Sequence, residues 1–143
     1  MSCKAYRTRS SVSNIKIEDH GMSAVFLNPR RQVHHIVKVD GGLVAQQRAA
    51  DYVVSKPGVG DLVVELKGKD VGVACKQIEA TLCIMDRCEE KRSPVAGLIV
   101  CTRVPCFDTK VQGLKSYFAK KYKSRLTVCS SRNKFDFEKF FGK

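Results

Sequence analysis

ADYVVSKPGVGDLVVELKGKDVGVACKQIEAT, residues 50–81, is the stretch on which the fold turns. Two apolar runs, Tyr52-Val53-Val54 and Leu62 to Lys67, flank the turn-rich Lys56-Pro57-Gly58-Val59-Gly60, which predicts a hairpin. In the second strand, alternation sends Leu62, Val64 and Leu66 to one face and Asp61, Val63, Glu65 and Lys67 to the other. Asp70 then caps a helix expected from about Val71 to Arg87, with Val71, Ala74, Ile78, Leu82 and Met85 at helical spacing.

Upstream, Asn14–Glu18 and Met22–Leu27 read as short strands around His20-Gly21, and Asn28-Pro29-Arg30-Arg31 as a turn. Gln32 to Val39 is extended and ends at Asp40-Gly41-Gly42. Residues 1–13 are polar and Ser/Arg-rich, which predicts a loosely ordered start. Downstream, Pro94–Val104 is the longest apolar run and is expected to be a central strand covered on both faces. Asp108 is expected to cap a helix to about Tyr122, with Val111, Leu114 and Phe118 inward. Leu126–Cys129 is a last strand, and Phe135–Phe141 a C-terminal element whose type the pattern leaves open. Residues 1–143 thus read as one domain of the α/β (α+β) class, with a central mixed sheet and flanking helices.

The composition, 43% hydrophobic and 28% charged, is that of a soluble globular chain. No apolar run approaches the roughly 20 residues that span a bilayer, and no apolar core follows the basic N-terminus as in a secretory signal. The seven cysteines contain no C-x-x-C pair, and an odd number leaves one unpaired. A disulfide scaffold or zinc site is disfavoured, and a reducing cytoplasm is the expected setting.

The net charge is +12, and it is segregated: +5 over residues 1–38, −1 over 39–109 and +8 over 110–143. Acids sit with the central motif, between two basic flanks. Such a layout suits an acidic centre within a phosphate-tracking surface, with Lys115, Lys120, Lys121 and Lys123 as the candidate nucleic-acid contacts. A solvated basic surface with no polyanion partner is the plainer alternative.

Phosphodiester hydrolysis needs an activated water, an oriented phosphate and neutralised charge at the leaving oxygen. Two carboxylates holding a divalent ion supply the last and acidify water. Mg²⁺ suits oxygen ligands and retains waters, with Mn²⁺ as a substitute. Asp51 and Glu65 are the candidate ligands, joined by the main-chain carbonyl of Leu66. Lys67 is the candidate catalytic cation, and Gln77 is placed to reach water or phosphate from the helix.

Asp51, Glu65-Leu66-Lys67 and Gln77 resemble the PD-(D/E)xK nuclease superfamily, over roughly residues 36–101. The resemblance implies a restriction-endonuclease-like or Holliday-junction-resolvase-like fold and a Mg²⁺-dependent nuclease, cutting DNA rather than RNA. It assigns Asp51 as the first acid, Glu65 and Lys67 as the acid-x-lysine, and Gln77 as the glutamine that some members carry. Ala50 stands where some members have proline. The family's N-terminal helix with a further glutamate has no counterpart, which leaves Glu18 or Asp40 as the source of a third carboxylate. Cutting both strands of a duplex would call for a homodimer or higher homo-oligomer.

Each residue also has an ordinary reading. Glu65 and Lys67 fit a same-face ion pair on a strand. Asp51 fits a strand start, and Gln77 a solvated helix position. Asp61 competes with Asp51 as first ligand, but cross-strand placement favours Asp51. His34 and His35 point to opposite faces of one strand and are expected to be structural or on the surface. Tyr117, Phe118 and Tyr122 lie among lysines, where Phe118 is better explained by helix packing. A noncatalytic nucleic-acid-binding or assembly protein, or a module whose basic face meets an acidic protein, are the competing functions.

Overall fold

The computed structural model describes residues 6–68, 70–88, 93–102, 109–130 and 133–143; the side chains of Lys67 and Cys88 lie outside that description. The described elements run β1 (Arg7–Ser10), β2 (Asn14–Asp19), β3 (Met22–Leu27), β4 (His34–Lys38), β5 (Tyr52–Lys56), β6 (Gly60–Gly68), α1 (Val71–Cys88), β7 (Val95–Cys101), α2 (Thr109–Tyr122), β8 (Leu126–Cys129) and β9 (Lys134–Phe135). A short 3-10 helix, Phe137–Phe141, closes the chain.

Six strands form one sheet in the order β1-β4-β5-β6-β7-β8, and β2-β3-β9 form a second, smaller one. From β1 to β6 the neighbours are antiparallel; β6, β7 and β8 are parallel, because α1 and α2 carry the chain back between them. The expected central mixed sheet with flanking helices is therefore the architecture found. No described helix is long and apolar enough to cross a membrane.

Alternation along β6 builds two cores. Leu62, Val64 and Leu66 join Val54, Leu98 and Val100 on the face covered by Ile15, Ile17, Phe26, Phe135, Phe137 and Phe140. Val63 joins Val53 and Ile99 on the other face, under Ala74, Cys75, Ile78 and Leu82 of α1 and Phe118 of α2. Fully burying one such aliphatic or aromatic side chain is worth about 1.5–3 kcal/mol, so β6 and β7 are fixed from both sides. The expected central strand is β7, buried on both faces from Ala96 to Cys101; Val104 lies outside the described residues.

Local signals explain the ends. Asp70 caps α1, its Oδ1 accepting from the N–H groups of Gly72 (2.8 Å) and Val73 (3.2 Å). Asp108, the expected cap of α2, lies outside the described residues. The β2–β3 hairpin closes on His20 (φ 48°) and Gly21 (φ 82°), two positive φ angles that match the strands' twist. Asp136 caps the 3-10 helix and Gly142 (φ 75°) ends it. That settles the element left open as strand followed by helix.

The loosely ordered start expected for residues 1–13 is corrected in part. Residues 1–5 lie outside the description, but Arg7–Ser10 pairs along β4 as an edge strand, Arg7 opposite Val37 and Ser10 opposite His34. Its side chains are polar because a sheet edge is exposed, so composition hid it.

Candidate active site

The β5–β6 ladder ends with Tyr52 opposite Val64; Asp51 lies just beyond this last pair, where its carboxyl reaches that of Glu65. Asp51 is held on three sides. Its N–H donates to Val64 O (3.1 Å), and its C=O accepts from the Val39 N–H (2.9 Å). Its Oδ2 accepts from the Leu66 N–H (2.7 Å), so the side chain itself completes the ladder. The residue before it is tied to α1: the Ala50 N–H donates to Thr81 Oγ1 (2.7 Å), whose hydroxyl donates to Gln77 O (2.9 Å). Thr81 is wholly buried. Nothing in the residue pattern singled it out, because its partner lies 31 residues away.

Asp51 and Glu65 are each only 6% exposed. Burial pushes both carboxyls above the usual range, Glu65 further than Asp51. Their mutual hydrogen bond adds to the rise at Glu65 and opposes it at Asp51. Together the two carboxyls hold a proton more readily than isolated ones would, because burial and their mutual repulsion both disfavour two adjacent charges. Glu65 Oε2 is buried with no hydrogen-bond partner.

Two further acids bear on the pair. Asp19 raises Asp51 by a hydrogen bond and by its charge, while Asp40 and Asp19 raise Glu65 by charge alone. Asp19 arrives on the β2–β3 hairpin, which Tyr52 anchors by donating its hydroxyl to Glu18 O (2.8 Å). The Asp19 carboxylate also meets His20 Nδ1 at 2.7 Å. Glu18, offered by the sequence as a third acid, is exposed and paired with Lys16 (3.3 Å). The alternation that buries Ile15 and Ile17 turns Asp19 inward and Glu18 outward, and this signal was present in the sequence. Asp40, the other candidate, is exposed and acts on Glu65 through charge.

The remaining candidates divide. Lys67 lies on β6 where the register against β7 shifts between Leu66 and Gly68, so strict alternation stops at that point; its side chain falls outside the description. Leu66 is 3% exposed and its N–H is committed to Asp51. Gln77 is half-buried on α1, and its amide makes no hydrogen bond among the described residues. Asp61 sits four residues earlier on β6, about 13 Å away at the strand rise, and stays apart from the pair. His34 is buried against Phe137 with Nδ1 at 3.0 Å from Gln32 O, while His35 is half-buried; burial lowers the pKa of both. His34 is thus a core residue and His35 a half-buried one, and His34 Nε2 and His35 Nδ1 have no hydrogen-bond partner among the described residues.

Lys120, Lys121 and Lys123 are exposed and Lys115 half-buried. Lys121 is engaged by Glu79 (3.0 Å), which also accepts from the hydroxyls of Tyr117 (2.9 Å) and Tyr122 (2.8 Å). Lys115, Lys121 and Lys123, but not Lys120, border a groove of about 1210 Å³ at the N-terminal ends of β6, β7 and β8, the opposite end of β6 from Glu65.

For a metal, the arrangement offers two adjacent carboxyls and a spare buried oxygen. Among the described residues, no three His, Cys, Asp or Glu side chains converge as a ready ligand set. Two protein carboxylates with several retained waters are what Mg²⁺ commonly takes. No protein-family model matches the chain, and no match is found among curated proteins or solved structures. The resemblance to PD-(D/E)xK nucleases therefore rests on Asp51, Glu65-Leu66-Lys67, Gln77 and the order of elements alone.

Proposed function

We propose that this chain is a metal-dependent nuclease of the PD-(D/E)xK type, hydrolysing phosphodiester bonds in DNA in preference to RNA. One observation carries the reading: Asp51 and Glu65 meet across β5 and β6, buried, with Glu65 Oε2 unpartnered. An acid pair that shares a proton and leaves one buried oxygen unsatisfied is costly to keep without a ligand. Asp51, Glu65 and the Leu66 carbonyl would hold Mg²⁺ or Mn²⁺. When bound, the ion supplies neutralising charge beside the phosphate and acidifies water.

The chain's own groups do the rest. The Leu66 N–H fixes which Asp51 oxygen faces away from the site. Glu65 must release its proton to become a ligand. Lys67 offsets charge developing on the phosphate, and Gln77 orients water or phosphate from α1. Asp19 and Asp40 add negative potential that favours a cation. The basic flanks, with Lys115, Lys120, Lys121 and Lys123, hold the polyanion. Duplex cleavage would use two copies of the chain. Cys75, Cys83 and Cys101 are free thiols, which fits a reducing cytoplasm.

Cleavage of plasmid, linear and branched DNA in Mg²⁺ or Mn²⁺, against a chelator control, tests the reading. Glu65→Gln, Asp51→Asn and Lys67→Ala should each lower the rate by about 10²-fold or more. Full activity in Glu65→Gln and Lys67→Ala would refute it. A noncatalytic nucleic-acid-binding protein is the second reading, favoured by the position of the basic groove away from the acid pair. It expects salt-sensitive binding with no metal requirement and no cut.

A further inference from the structure

We propose that the groove at the N-terminal ends of β6, β7 and β8 binds single-stranded nucleic acid, at a site separate from the acid pair. Five basic side chains line it against two acids, Asp61 and Asp86. Lys121 is already engaged with Glu79. Lys115, Lys123 and Lys143 form no ion pair among the described residues. Among the described residues, Arg125 donates to a carbonyl, that of Lys139 (3.2 Å), and makes no ion pair. These four form a rim in which cations outnumber the two lining acids, with the Lys143 charge also acting on Glu138.

The floor is of a different kind. Leu82 and Met85 of α1, the ring of Tyr122, and Phe141 supply apolar and aromatic surface between the cations. Tyr122 is held rigid, its ring 4.7 Å from Phe118 and its hydroxyl on Glu79. Phosphates alone would gain nothing from such a floor. A duplex keeps the faces of its bases stacked inside, so it satisfies the rim but has no base face to lay on the floor. A single strand turns its bases outward and fills both. A volume of about 1210 Å³ exceeds that of ordinary small-ligand pockets, about 300–1,000 Å³, as a site for several linked nucleotides should.

Separation matters for function. The groove opens beside Asp61, and Glu65 lies about 13 Å along the strand from it. The groove therefore grips a strand beyond the cleavage point instead of forming that point. This inference shares its polyanion partner and Lys115, Lys121 and Lys123 with the proposed nuclease, and holds whether or not the acid pair cuts.

The test uses fluorescence anisotropy in chelator, with the full-length Glu65→Gln chain, and short labelled oligo-dT, oligo-U and a mixed-sequence duplex as probes. Both single strands should bind more tightly than the duplex. Lys115→Glu with Lys123→Glu should weaken single-strand binding by on the order of tenfold or more. Lys76→Glu, an exposed change on α1 outside the groove, should leave affinity within about twofold. Circular dichroism confirms that each variant is folded. Equal or tighter duplex binding, an equal loss in Lys76→Glu, or no binding of either strand would each overturn the proposal. Absence of cleavage in the wild-type chain would count against the nuclease and leave this result standing.

Discussion

Glu65 is buried, its carboxyl is raised above the usual range by that burial, and its Oε2 lacks a hydrogen-bond partner; each property has a measurable consequence. Its folded pKa is raised above its unfolded value, so the folded chain keeps a proton that the unfolded chain releases. Stability contributed by this group is full below the ordinary carboxylate range and falls as pH rises toward the elevated folded value. Glu65→Gln keeps a donor toward Asp51 and removes that titration. Urea denaturation should find it close to wild type near pH 4 and more stable at pH 8, on the order of 1 kcal/mol or more. Equal stability at pH 8 would mean that Glu65 titrates normally. Thr81 is the quieter partner. Thr81→Val removes the acceptor of the Ala50 N–H and should cost about 1–3 kcal/mol, while Thr81→Ser should cost less because the hydroxyl remains. Asp51 and Glu65 were legible because a turn length and an alternation fix which residues oppose. Asp19 was legible in principle, from the parity it shares with Ile15 and Ile17. What the sequence does not display is that this hairpin docks at Asp51, since the Tyr52 hydroxyl bond spans 34 residues.

At the scale of elements, the hairpin and the helices around the site were readable because each carries its own punctuation. Asp70 stops a strand and starts a helix, and Pro57-Gly58 turns the chain. β1 carries no such mark; its place depends on β4, which follows it by more than 20 residues. The break at Lys67 is likewise tertiary, since it exists only against β7. Gly60 shows how tightly the hairpin is seated. It has φ 157°, and a Cβ there would lie 2.7 Å from Pro94 O and against the Phe141 ring. Gly60→Ala should destabilise the chain by about 2 kcal/mol or more. Gly58→Ala, at φ 81° in open space, should cost only its backbone strain, about 1 kcal/mol. Denaturant midpoints give the comparison; equal losses would show that Gly60 is required for its φ alone and not for the close approach.

For the whole molecule, charge and stability are coupled through a group of acids that departs from the basic surroundings. Asp19, Asp40, Asp51 and Glu65 bring four acids to one end of the sheet in a chain of net charge +12. Holding a proton between Asp51 and Glu65 is how the fold tolerates them without a cation. A divalent ion and that proton must then compete, because a carboxylate ligates only when ionised. Ion binding to the folded chain stabilises it by mass action, about 2.7 kcal/mol at a hundred times the dissociation constant. Competition with one proton makes the affinity rise up to tenfold per pH unit while Glu65 remains protonated. Thermal denaturation in Mg²⁺ or Mn²⁺ against chelator should therefore show a gain in Tm that grows from pH 6 to pH 8. Glu65→Gln and Asp51→Asn should abolish that gain, and Asp19→Asn should reduce it by removing nearby negative charge. Calorimetric titration in buffers of different ionisation enthalpy should register release of about one proton per ion. A gain that is flat with pH and survives in Glu65→Gln would place any bound ion elsewhere and remove the physical basis for metal-assisted hydrolysis at this pair.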